Sequence, residues 1–184
     1  MLDLPTVLLL LSFTATAAVT DFRNHKIYNW TTYPGILVAF GVRVVNDVLA
    51  GGWNGEYLGL EDGLKGFAVC GGLMLACFVF FGIGGGDVKL LAMMGAFLGM
   101  DRGIEALLWT FVLGGAAGLM ILIWRVGLWR LISRTVRHVL WSLRLANWLP
   151  LSDDERQQLQ PPLFLAPSAL VAAVIVCFGL SRFV

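Results

Sequence analysis

Apolar residues fall in long runs separated by short polar breaks. Six runs read as candidate spans: 4–20, 34–50, 66–83, 88–100, 104–124 and 163–181. A helix needs about 20 residues to cross a bilayer, and the first, third, fifth and sixth runs are adequate. The second contains Arg43 and Asp47, four apart on one helical face, where they are expected to pair near the membrane edge. The fourth is short and begins at a glycine cluster, a pattern suited to lining a water-accessible cavity. This periodicity predicts an all-α, polytopic membrane bundle of about six transmembrane helices in a single domain, 1–184.

Residues 125–148 follow a different pattern. Arg130, Arg134, Arg137 and Arg144 share one helical stripe, and Leu128, Ile132, Val136, Val139 and Leu143 form another. Trp124, Trp129, Trp141 and Trp148 suit the headgroup region. An amphipathic helix lying on the inner leaflet is expected, with membrane lipid as its partner. The plainer reading is a cytoplasmic connector with a solvated basic face. Segment 150–162 reads as a polar loop.

Composition agrees with the pattern. The chain is 58% hydrophobic and 14% charged, with mean hydropathy +0.80. Soluble domains carry about a quarter charged residues. A net charge of +1 gives no ground for a nucleic-acid partner. Cys70, Cys77 and Cys177 all sit in apolar runs at spacings that fit neither a zinc site nor a disulfide framework, and read as small buried hydrophobes. His25 and His138 are isolated surface positions, so no metal and no cofactor is expected. Residues 1–20 lack a basic segment and carry Asp3, which argues against a cleaved signal peptide despite Ala15-Thr16-Ala17.

The basic residues set an orientation. Arg23, Lys26, Lys89, Arg125, Arg130, Arg134, Arg137, Arg144 and Arg156 fall in one set of loops, against Lys65, Arg102 and Arg182 in the other. The positive-inside rule places the first set in the cytoplasm and both termini outside. The acidic loop 51–65, with Glu56, Glu61 and Asp62, then faces outward.

That topology brings two carboxylates to one membrane face. Asp21 follows the first run and Asp87 opens the fourth, about 65 residues later. Taken alone, Asp21 is also what a solvated helix end looks like, and Gly84–Gly86 what a flexible turn looks like. Together they make an intramembrane carboxylate pair, which is costly unless used. Two close carboxylates share a proton and titrate as a unit. Such a pair activates a water against a peptide carbonyl while its protonated member hydrogen-bonds the carbonyl oxygen. Gly84, Gly85 and Gly86 would let backbone approach a substrate strand, and Asp87 is expected to cap the fourth helix. Lys89 lies near enough to bias local charge or meet a substrate carboxylate. A phosphate-binding loop would need a preceding strand in a soluble α/β unit, which nothing here supplies.

Gly84-Gly85-Gly86-Asp87-Val88-Lys89-Leu90 resembles the Gly-x-Gly-Asp-x-Lys-Leu motif of the type IV prepilin peptidases. Asp21-Phe22-Arg23-Asn24-His25-Lys26-Ile27-Tyr28-Asn29 resembles that family's Asp-x-x-x-x-x-Ile-Pro-Asn motif, with Tyr28 in place of proline. Pro162-Leu163-Phe164-Leu165-Ala166-Pro167 resembles its Pro-aromatic-x-x-Pro entry to the last span. The resemblance implies a membrane aspartic endopeptidase of the inner membrane, active at the cytoplasmic face. It would remove the basic leader of a prepilin or pseudopilin, cutting after a glycine. Asp21 and Asp87 would be its catalytic pair, with Arg23, Ile27, Asn29, Lys89 and the three glycines as motif or substrate-positioning residues. The small size looks most like the Flp/Tad-pilus branch. Larger members carry a Cys-x-x-Cys domain and methylate the new N-terminus. Residues 22–33 leave no room for that domain, so peptidase without methyltransferase is expected. Preflagellin peptidases share both motifs. Presenilin-like proteases share only the second, their first aspartate following a tyrosine where Thr20 stands here.

The alternative is a non-enzymatic transporter or pilus-assembly platform component, with the two aspartates binding protons or cations. Carboxylates at different depths would favour it. The oligomeric state is not legible.

Overall fold

The computed structural model describes residues 3–24, 26–49, 58–126 and 165–179. Six helices run through them: α1 Leu4–Asn24, α2 Asn29–Leu49, α3 Leu58–Phe81, α4 Gly85–Leu98, α5 Met100–Val126 and α6 Leu165–Cys177. There is no strand among the described residues. One compact unit takes in Met1–Gly114 and Phe164–Val184, and Gly115–Leu163 forms a second, of which only residues 115–126 are described. The expected amphipathic helix at 125–148 and loop at 150–162 therefore lie outside the described residues, apart from the last two positions of α5. So do His25, His138 and the start of the Pro162 motif.

Among the described residues, four helices are long and apolar enough to cross a membrane: Leu4–Asn24, Asn29–Leu49, Gly59–Phe80 and Met100–Ile121. α4, at 14 residues, rises only about 21 Å against a hydrocarbon core of about 30 Å. α6 is described over 13 residues. Six spanning helices were expected; four among the described residues have that length.

The helices also outrun their apolar stretches. α1 continues through Asp21 to Asn24, so Asp21 lies inside its last turn rather than after it. α2 starts five residues before its apolar run and takes in Pro34, its sixth residue, which has no N–H to donate to the Trp30 carbonyl. α3 starts at Leu58, which makes Glu61, Asp62 and Lys65 helical rather than part of an acidic loop. Its first amides are supplied from outside: Asp47 on α2 accepts from the Gly59 N–H at 3.1 Å and the Leu60 N–H at 2.9 Å. Helix extent follows backbone hydrogen bonding, which hydropathy does not report.

α4 is the core of the bundle. Every residue from Leu90 to Leu98 is buried, and α4 packs against α1, α2, α3 and α6. In a membrane such packing replaces the hydrophobic effect, and small residues let backbones approach. Gly66 on α3 faces Gly95 on α4 so closely that a Cβ on either would run into the other's carbonyl oxygen.

The far end of α4 is closed by charge. Arg43 on α2 was expected to pair with Asp47, but its ion pair is with Asp62, at 3.3 Å. The guanidinium also donates to the carbonyls of Ala96 (2.7 Å), Phe97 (3.0 Å) and Gly59. The first two are last-turn carbonyls of α4 that have no partner within the helix. Asp47 is already engaged with the start of α3. The chain then turns at Gly99, whose φ of 83° favours glycine. Asp62 Oδ1 accepts from the Met100 N–H at 3.0 Å, which tethers the start of α5.

Candidate active site

Two helix junctions meet at the other end of α4. The first joins α1 to α2. The second joins α3 to α4 through residues 82–84, where the Gly82 N–H caps α3 by donating to the Phe78 carbonyl at 3.1 Å. Between them lies a cavity of about 350 Å³ lined by Asp21, Lys26, Ile27, Tyr28, Asn29, Gly84, Gly86 and Asp87. The two aspartates singled out from sequence thus share one recess.

Asp87 is the third residue of α4. It was expected to cap the helix, but the N-cap is Gly84, with no side-chain cap bond. The Asp87 N–H instead donates to the Gly84 carbonyl at 3.1 Å. Its carboxylate folds back over Gly84, where a Cβ would come within 2.9 Å of Oδ2. Burial pushes this carboxyl up to about 7, and the Asp21 charge adds to the shift. The start of α4 favours an anion, yet removal from water outweighs it. Asp21 presents a buried Oδ2 from the last turn of α1.

The two sequence motifs interlock. Ile27 sits on Gly86, whose added Cβ would lie 2.9 Å from the Ile27 Cβ. The space at Gly86 is therefore filled by the chain's own isoleucine. Lys89 donates to Asn29 Oδ1 at 2.8 Å, and its Nζ lies 5.0 Å from the centroid of the Tyr33 ring. Lys89 is not among the lining residues. Gly85 is not either, and lies nearest the Phe78 ring. Arg23 is exposed and lines no part of the recess.

Three residues of this region were not singled out for the site. Lys26 and Tyr28 line the cavity, and Tyr33 underlies Lys89. Tyr28 stands at the motif's proline position. Its carbonyl accepts from the Thr31 and Thr32 amides at the start of α2, and its hydroxyl accepts from Asn24 Nδ2 at 3.4 Å. Lys26 was legible as a loop cation between two motif positions. Nothing in the sequence pointed to Tyr33.

The fold and the recess together define a polytopic membrane protein with two carboxylates in one cavity at a junction of helix ends. The family model of the type IV leader peptidase family matches residues 8–119, more than half of the chain, and that span includes both aspartates. The chain belongs to the type IV leader peptidase family. No curated protein and no solved structure matches it.

Proposed function

We propose that this peptidase is an aspartic endopeptidase of the inner membrane, with Asp21 and Asp87 as its catalytic pair. Its substrates are Flp-type prepilins or pseudopilins, cleaved at the cytoplasmic face. The observation that carries this reading is the shared cavity: carboxylates from α1 and α4 line it together, and the Asp21 charge raises Asp87.

The chemistry follows from one proton held between two carboxyls. A water bound between them gives a proton to the ionised carboxylate as its oxygen attacks the scissile carbonyl. The protonated carboxyl hydrogen-bonds the carbonyl oxygen as negative charge develops there. The tetrahedral intermediate then collapses. Its C–N bond breaks, the nitrogen takes a proton from the pair, and a new carboxyl and a new amine result. A carboxyl near 7 is still protonated in about half of the molecules at neutral pH, which suits the acid of such a pair.

The single-domain organisation, the six spans, both termini outside and the absence of methyltransferase activity belong to the same proposal. They rest on the charge distribution, the short 22–33 connection and the motif pattern. The transporter or assembly-platform alternative needs carboxylates acting separately, and a common recess within a leader peptidase family favours the enzyme. The deciding experiment is co-expression with a prepilin. Asp21→Asn and Asp87→Asn should each leave the precursor uncut while the protein still inserts. Full processing by either variant rejects the pair.

A further inference from the structure

We infer that Lys89 is a positioning residue: by holding Asn29, it latches the Lys26–Asn29 segment onto the first turn of α4 and so sets the spacing of Asp21 and Asp87. The inference rests on the proposed function for its effect on catalysis. It rests on geometry for the latch itself.

Lys89 lies half a turn beyond Asp87 but does not line the recess. Its ammonium is engaged elsewhere, on Asn29 Oδ1 at 2.8 Å and above the Tyr33 ring at 5.0 Å. Both partners belong to α2, one at its first residue and one a turn later. A cation so placed ties the two helices together rather than facing a substrate.

The same junction makes a second contact. Ile27 rests on Gly86, one residue before Asp87. These two contacts bracket Asp87 in sequence, at 86 and 89, and bracket Tyr28 in the opposing segment, at 27 and 29. The segment between Asn24 and Asn29 is short, and Asp21 lies one turn before it on α1. Freeing Asn29 would therefore release the connection that registers α1 against α4. Misplacement of catalytic groups by about an ångström is enough to cost on the order of 100-fold in rate.

Two other roles for Lys89 predict different outcomes. A lysine acting on the pair through its charge would be lost in Lys89→Met but untouched by Asn29→Leu, which removes no charge. A lysine binding substrate would raise KM.

The test uses the full-length protein in detergent micelles. The probe is a fluorogenic peptide carrying a basic leader, a glycine and the first residues of an apolar helix. Lys89→Met and Asn29→Leu should each lower kcat about 10- to 100-fold with KM within about twofold. The double variant should be no worse than the poorer single one, because both break one contact. Lys89→Arg, which keeps a donor and a cation, should recover most of the kcat lost in Lys89→Met. Additive losses, a change confined to KM, or a fully active Asn29→Leu overturns the inference.

A second readout is independent of cleavage. The Thr31 and Thr32 amides donate to the Tyr28 carbonyl at 3.1 and 3.4 Å. Lys89→Met should speed their hydrogen exchange, and unchanged protection overturns the latch. Should Asp21→Asn or Asp87→Asn still cleave while this exchange rises, the catalytic pair fails and the latch stands.

Discussion

Arg43 Nε donates to the Ala96 carbonyl at 2.7 Å, so a guanidinium on α2 closes the C-terminal end of α4. The contact fixes the helix at the end opposite Asp87. Arg43 is about nine-tenths buried at its side chain, while its partner Asp62 is half exposed, so little of the stabilisation comes from the ion pair itself. Most comes from backbone carbonyls that would otherwise have no donor. Arg43→Met is expected to cost about 2–4 kcal/mol, from the loss of charged donors to buried acceptors. Arg43→Lys should recover only part of that, because one ammonium cannot reproduce the fork. Denaturant unfolding in micelles measures both.

The α3–α4 seam gives a paired prediction. Gly66→Ala drives a methyl into the Gly95 carbonyl, a backbone atom with nowhere to go. Destabilisation of about 1–3 kcal/mol is expected, as for overpacked cores. Gly72→Ala, on the same helix with nothing within 4 Å, should be neutral or slightly stabilising. Equal unfolding midpoints for the two variants would contradict the seam.

For the site, Gly86→Ala should impair cleavage, because its methyl meets Ile27 at 2.9 Å. Ile27→Gly in the same chain removes the obstructing Cβ. The double variant should therefore cleave faster than Gly86→Ala alone, and a kinetic cycle on kcat would read the coupling.

Cleavage should depend on pH in one direction near neutrality. Asp87 holds its proton up to about 7. If the proposed pair works with one shared proton, kcat/KM falls as pH rises through that value. A profile flat from pH 6 to 9 would count against it. Asp21→Asn and Asp87→Asn should each lower the rate by about 100- to 10,000-fold, the span of general acid–base contributions.

Stability should follow the same group with a defined sign. The folded-state value near 7 lies above the ordinary carboxyl value of 3.8. Between the two the folded chain binds the proton better than the unfolded one, so stability falls as pH rises across that window. Above about 7 the full penalty of a buried carboxylate remains. Asp87→Asn removes this titration. Its unfolding midpoint should be less pH-dependent, and at pH 8 should match or exceed that of the unmodified protein.

Both aspartates, and Ile27, Asn29, Gly84 and Gly86, were legible because motif spacing and hydropathy agree on which ends of the apolar runs lie together. What escaped was governed by partners distant in sequence. Arg43 and Asp47 satisfy a simple i,i+4 rule, yet each is claimed by backbone groups on other helices. Asp47 caps α3 from α2, so the start of α3 was invisible in its own residues. Lys89 reads as a charge beside the site, whereas its position is set by Asn29 and Tyr33. The glycines were expected to make room for substrate. At Gly86 that room belongs to Ile27.

The length of α4 has a consequence for the lipid. A lipid-facing helix some 9 Å shorter than the hydrocarbon slab would force the bilayer to thin around it. Because Leu90–Leu98 of α4 are sheathed by neighbouring helices, that stretch presents no such mismatch to an acyl chain. The recess lies at the helix end bearing Asp87, just beyond that sheathed stretch.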